Sequence, residues 1–220
     1  MEKLLIVSAT QMEIKPLLKA IGAALPLKKS VLHRYDLKKL QIDLCITGVG
    51  MVNTAFNMGS LKENNYDLAI NAGVCGSFDH DIKIGEVVNV TVDCFSEMGA
   101  EDGNDFLTLT ELGLGNEIIV NQKPFGNAVT NKLKKVNGIT VNTVHGNTKS
   151  IKAIKTRLNA DVESMEGAAF LMIANQLKWK SIQIRAISNR VELRNKKNWN
   201  MPFAIENLNN VLIQLIESLK

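Results

Sequence analysis

The strongest constraint on how this chain folds is a set of short apolar runs with little polar alternation: KLLIVSA at 3–9, QIDLCITG at 41–48, DLAINAG at 67–73 and SIQIRAI at 181–187. Runs of this length read as strands. A strand without a polar face is covered on both sides, which is the condition of a parallel sheet between helices. Segments of helical spacing separate the runs. Met12, Ile14, Leu17, Leu18 and Ile21 form one, closed by Gly22, and a second fits 51–62. A third, GAAFLMIANQLK, follows Met165-Glu166. From Ala204 to the end, Ile205, Leu208, Val211, Leu212, Leu215, Ile216 and Leu219 share one helical face. Between these, the pattern predicts strands within 84–98, a surface loop over 99–115, a helix over 127–136, a strand over 138–146, a helix over 150–159 and a short strand at 161–164. Strands alternating with helices define an α/β fold.

With 220 residues, 45% of them hydrophobic, the chain can bury one sizeable core. No linker, charge block or repeat divides it, so residues 1–220 read as a single domain. The net charge of +4 is spread along the sequence and does not mark a nucleic-acid partner. Its densest basic stretch, Arg190 to Lys197, is either a solvated loop or an anion-recognition loop. The N-terminus lacks the basic and cleavage regions of a signal peptide, and no run approaches the ~20 apolar residues that span a bilayer. A cytoplasmic protein without a membrane partner is expected. Cys45, Cys75 and Cys94 are odd in number and lack CxxC spacing, as reduced thiols do. His33, His80 and His145 form no metal-binding pattern, and NAGVCGS at 71–77 is neither a P-loop nor GxGxxG, so neither metal nor cofactor is expected.

In open α/β sheets, ligands bind beyond the carboxyl ends of strands. That rule selects SATQME, NAGVCGS, ESMEG and ISN. Glu13, placed one turn into the first helix, is either a surface carboxylate at a helix dipole or one that activates water. Met12 and Ile14 beside it would keep it dry and raise its pKa. Gly73 and Gly76 allow the backbone to approach a ligand, or simply make a tight turn. Glu166 either complements a helix N-terminus or accepts two hydrogen bonds from a vicinal diol, with Met165 packed on the sugar.

Taken in order, SATQMEI, NAGVCGS, VESMEGAA and RAISN resemble the purine nucleoside phosphorylase and nucleosidase superfamily. The likeness is greatest to its futalosine hydrolase branch, to which the tail Val191 to Asn209, VELRNKKNWNMPFAIENLN, is also similar. The resemblance implies a three-layer domain whose twisted, mixed, partly barrel-like sheet is flanked by helices, in place of a plain parallel sheet. It implies that Glu13 orients and deprotonates the attacking water, that Met165 and Glu166 hold the ribose, and that Gly76 lies beside water and sugar. Ser188 and Asn189 would handle the purine. The substrate would be a small nucleoside, and the protein a homodimer or a larger homo-oligomer.

Asn189 replaces the Asp that adenine-specific nucleosidases carry. A 6-oxopurine presents two acceptors, O6 and N7, to which an amide NH₂ can donate and an ionised Asp cannot. Asn189 therefore points to hypoxanthine or guanine in place of adenine, and futalosine carries hypoxanthine. Hydrolysis is favoured over phosphorolysis, because only Arg34 of the five arginines is expected near the first strand ends and Val74 stands where phosphorylases have Ser. Futalosine also carries a benzoate. Arg190, Arg194, Lys196 and Lys197 could meet it, Arg194 first, since a guanidinium binds carboxylate in a bidentate way. Two alternatives remain: a nucleosidase for methylthioadenosine, S-adenosylhomocysteine or aminodeoxyfutalosine, and a non-catalytic nucleoside-binding protein.

Overall fold

The computed structural model describes residues 2–23, 27, 32–37, 39–103 and 105–220. In chain order its first elements are β1 (Glu2–Ser8), α1 (Lys15–Ala20), β2 (Leu32–Leu37), β3 (Leu40–Ile46), α2 (Met51–Gly59), β4 (Leu68–Ser77) and β5 (Val87–Phe95). The hairpin strands β6 (Gly99–Asp102) and β7 (Asp105–Thr108) follow, then β8 (Ile118–Val120), β9 (Lys134–Thr140) and α3 (Thr148–Arg157). The chain closes with β10 (Val162–Ser164), α4 (Gly167–Gln176), β11 (Ser181–Arg190) and α5 (Met201–Ser218).

One mixed sheet runs in the order β10-β9-β5-β11-β4-β1-β3-β2, with β8 added on β5. β3, β1, β4 and β11 are parallel neighbours, whereas β5 lies antiparallel to β11. A further antiparallel pairing, Val162 with Ser77 and Glu163 with Gly76, joins β10 back to β4. That seam closes β4, β11, β5, β9 and β10 into a barrel, and β1, β3 and β2 extend from it as an open wing. The mixed, partly closed sheet replaces the plain parallel one that the apolar runs suggest, as the resemblance implies.

Alternation along the strands sorts the core into two layers. Ile70, Ala72, Ile182, Ile184 and Ala186 face α1 and α5, packing on Leu17, Leu18, Leu208, Leu212 and Leu215. On the other face, Leu5, Val7 and Ala69 meet Met58 of α2 and Phe170 and Leu171 of α4. Truncating a side chain such as Leu212, which is fully buried, costs about 2–5 kcal/mol at such a site. α5 starts three residues earlier than its apolar stripe suggests. Asn200 caps it by accepting from the Phe203 N–H, and Pro202 fits the first turn, where no N–H partner is needed.

Several expectations are corrected. The helix predicted over 127–136 is a 3₁₀ turn at Thr130–Lys132 followed by β9, which pairs in parallel with β5. The strand predicted over 138–146 is the second half of β9, and it ends at Thr140. The predicted surface loop over 99–115 contains the β6–β7 hairpin. Glu13 lies in the turn before α1 and not inside a helix, because Pro16 occupies the helix's first turn. No helix among the described residues is long and apolar enough to cross a membrane.

Candidate active site

The carboxyl ends of β1, β4, β10 and β11 surround a cavity of about 370 Å³. It is lined by Glu13, Gly76, Met165, Glu166, Ser188 and Asn189, six of the residues singled out in the sequence. Thr10, Glu163, Trp199 and Met201 line it as well.

Glu13 is held by four donors. Its Oε2 accepts from the Thr10 N–H and the Thr10 hydroxyl, both at 2.9 Å, and from Ser8 Oγ at 3.4 Å. Its Oε1 accepts only from the Val74 N–H, at 3.1 Å, and so keeps a lone pair for another donor. Burial pushes this carboxyl above the usual range, against the lowering effect of the Val74 N–H; Glu166 adds to the rise, and Arg185 and Thr10 oppose it. The seat requires glycine at 73, where a Cβ would stand 2.9 Å from Glu13 Oε1 and 2.6 Å from an Arg185 guanidinium nitrogen. Asn209 of α5, fully buried, donates to the Glu13 carbonyl at 2.8 Å and accepts from the Leu17 N–H at 2.9 Å. It thereby fixes the backbone on both sides of the turn.

Glu166 is the N-cap residue of α4, but its side chain caps nothing. Its Oε1 accepts from the Gly50 N–H at 2.9 Å, where the chain enters α2. The helix that follows packs closely over the sheet, since a Cβ on Gly167 would collide with Asp93 and Gln183. Asp93 is buried beneath it, its carboxyl pushed up to about 6 by burial, although Gln183, Thr140, Arg185 and the Cys94 N–H all favour the charged form. Thr140 Oγ1 donates to Asp93 and accepts from the Ala168 N–H at 2.7 Å, so the buried carboxylate anchors the start of α4.

A β-bulge aims Asn189. Ile187 pairs with Cys75 on β4, but the next β4 position, Gly76, pairs with Asn189 and not with Ser188. The extra residue brings the amide onto the Gly76 face of the sheet. A Cβ on Gly76 would lie 2.9 Å from Val191 Cγ2 and 3.1 Å from Asn189 Nδ2, so glycine lets both side chains pack against the strand. Asn189 Nδ2 donates to the Arg190 carbonyl at 2.8 Å and Oδ1 accepts from Ser188 Oγ at 2.8 Å, which sets the amide's orientation. One N–H of the amide remains to be used.

Of the two readings of the charged loop, the arginines' positions favour the solvated one. Arg190 is turned to the carbonyls of Asp79, His80 and Ile82 and braces that loop. Arg194 does not line the cavity. Its backbone N–H is bonded to the Gly146 carbonyl, and its guanidinium lies 5.0 Å from the centroid of Trp199, which does line it. Arg34, expected near the first strand ends, instead forms an ion pair with Asp43 on the open wing. The arginine that approaches the site is Arg185, fully buried below Gly73 and bonded to Asn71. Among the described residues, no lysine or arginine lines the cavity.

Trp199, Asn209 and Arg185 were not identified from the sequence. Arg185 and Gln183 are two apart in an apolar strand, opposite Asn71, and that polar period of two was the available signal. Trp199 follows a charged run and carries no local signal of burial.

Comparisons with known proteins agree with the fold. A futalosine hydrolase of Thermus thermophilus is 28% identical over 177 residues, covering 77% of this chain and 79% of its own. One of Streptomyces coelicolor is 27% identical, covering 79% and 77%. Among solved structures, the futalosine hydrolase of Helicobacter pylori superposes with a TM-score of 0.83 at 16% identity, covering 99% of this chain and 98% of its own. The 5'-methylthioadenosine/S-adenosyl homocysteine nucleosidase of the same organism gives 0.82 at 16% identity, with the same coverage. At such identity these structures share the fold. Residues 3–217 match the family model described as the Phosphorylase superfamily, and the chain belongs to that superfamily.

Proposed function

We propose that the protein hydrolyses the N-ribosidic bond of futalosine, releasing hypoxanthine and dehypoxanthine futalosine in menaquinone biosynthesis. The observation that carries this reading is the meeting of Glu13, Glu166 and an oriented Asn189 amide in one cavity that, among the described residues, no cationic side chain lines. The free lone pair of Glu13 Oε1 suits a water, and a carboxyl raised by burial is the stronger base for it. Glu166 would accept from the ribose hydroxyls and stabilise positive charge as the sugar flattens. Asn189 would donate its remaining N–H to the departing base. Water supplies the hydroxyl at the sugar carbon, and its proton passes through Glu13 toward the purine.

Among the described residues no cation lines the cavity, which argues for water over phosphate, since phosphate would also meet the carboxyl groups of Glu13 and Glu166. Curated relatives named futalosine hydrolase support the substrate, and so does Asn189. The test is purified protein with futalosine, inosine and methylthioadenosine, with and without phosphate, followed by chromatography of the released base. Hypoxanthine release from futalosine that is fastest of the three and indifferent to phosphate is expected. Adenine release from methylthioadenosine as the fastest reaction would reject the reading.

A further inference from the structure

We infer that Thr140 and Asn209 cap α4 and α1 from distant parts of the chain, and that this leaves the glutamates at those two helix starts, Glu166 and Glu13, free to work in the cavity. The inference rests on the function proposed above and adds two positioning residues to it.

A helix N-terminus has N–H groups without partners, and the side chain of the N-cap residue ordinarily accepts from the second or third of them. Glu166 holds the N-cap position of α4 and makes no such bond. The N–H within its reach is that of Ala168, and Thr140 Oγ1 already accepts from it at 2.7 Å. Thr140 is fully buried, and its own hydrogen goes to Asp93 Oδ1 at 2.9 Å, so a lone pair of the hydroxyl is left facing the helix. Gly167, without a side chain, lets the helix start settle onto Asp93.

The start of α1 repeats the arrangement with other residues. Its N-cap residue, Ile14, has no acceptor, and Pro16 has no N–H, so the Leu17 N–H is the one a cap can bind. The nearest side-chain acceptor before it in the chain is the Glu13 carboxylate. Asn209 Oδ1 takes that N–H at 2.9 Å instead. Its Nδ2 donates to the Glu13 carbonyl at 2.8 Å and to the Ile205 carbonyl at 2.6 Å, so both amide hydrogens of this fully buried side chain are used.

An uncapped helix start attracts a neighbouring carboxylate through its free N–H groups and its dipole. Here neutral side chains satisfy both starts. Glu166 is left to bond the Gly50 N–H, and Glu13 the N–H groups of Thr10 and Val74, which are the contacts that hold them at the cavity. Loss of a cap should redirect the glutamate beside it. The two losses should differ in kind, since Glu166 serves the sugar and Glu13 the water.

kcat and KM are measured for futalosine and for its 2′-deoxy analogue with wild type, Thr140→Val, Thr140→Ser and Asn209→Leu. Thr140→Val keeps the shape and removes the hydroxyl. It should lower the preference for futalosine over the deoxy analogue about 10-fold, the worth of a hydrogen bond to a carboxylate, and Thr140→Ser should retain that preference. Asn209→Leu should lower kcat on both substrates ~10- to 100-fold through misplacement of Glu13, with KM and the sugar preference nearly unchanged. Where a variant does not fold, Thr140→Ala or Asn209→Ala is read in its place. A merely structural role would lower the melting temperature and leave the kinetic constants of the folded enzyme as in wild type. Folded Thr140→Val with wild-type sugar preference, folded Asn209→Leu with wild-type kcat, or one common loss in both overturns the inference and leaves the function standing. A wild type that does not cleave futalosine overturns both.

Discussion

The strand-end wall of the cavity and its loop wall are built on opposite principles. Glu13, Glu163, Glu166 and Ser188 are each at most 8% exposed, and backbone or side-chain donors and acceptors hold every one. Facing them, Met12 is 54% and Val49 49% exposed, and Trp199 leans on a surface arginine. Groups that act on the reacting bond gain from rigid placement, because misplacement by about 1 Å can cost ~10²-fold in rate. Groups that cover the distant end of a substrate need only exclude water. The difference suggests that mutations on the strand-end wall should change turnover and base choice, and those on the loop wall should change affinity.

The largest effect is expected at Glu13. Glu13→Gln should lower kcat by ~10²- to 10⁴-fold while KM stays nearly constant. Wild-type turnover should fall as the pH drops through the carboxyl's raised pKa, since only the ionised form is a base, and burial places that fall above the ordinary carboxylate range. Steady-state rates from pH 4 to 8 would show it; a variant with near-normal kcat would remove Glu13 from the chemistry.

A smaller change should follow from Asn189→Asp. At neutral pH the kcat/KM ratio of futalosine to its 6-amino counterpart should fall by about 5- to 150-fold, the worth of one buried polar contact. Lowering the pH should restore part of the futalosine activity, as a protonated acid regains a donor. A constant ratio from pH 5 to 8 would deny Asn189 its part in base choice.

The loop wall should give the mildest responses. Trp199→Ala should raise the KM for futalosine about 10-fold with kcat nearly kept, through lost aromatic contact. Arg194→Ala should raise it only ~2- to 5-fold, the worth of an exposed cation–π contact. A larger rise for futalosine than for inosine would assign Arg194 to the benzoate; equal rises would leave it as a brace for the indole. A kcat collapse in Trp199→Ala would erase the contrast between the walls.

The elements that could be read from the sequence share a simple physical state. β1, β4 and β11 lie in the middle of the sheet, covered on both faces, and their apolar runs follow from that. β9 could not be read. Lys134, Lys135 and Asn137 face solvent and Gly138 interrupts the run, so its strand state comes from pairing with β5 and β10 and not from its own composition. β2 went unnoticed in LHRYDL because it has no fully buried position to mark it. In the site, residues at the ends of readable strands could be found by the strand-end rule. The bulge that selects Asn189 over Ser188 could not, because register is a property of two strands. Asn209 escaped notice because it reaches Glu13 from almost the other end of the chain.

The seam between β4 and β10 consists of two residue pairs joining segments distant in the chain. Such non-local closure gains its contacts only after the intervening chain has lost its entropy, and two residue pairs are a small return for it. Glu163 lies in that seam, and Met165 and Glu166 follow it directly. The same stitch that closes the barrel therefore brings Glu163 and Glu166 to the cavity they share with Glu13 and Asn189. A loosened seam would open the barrel and the candidate site together.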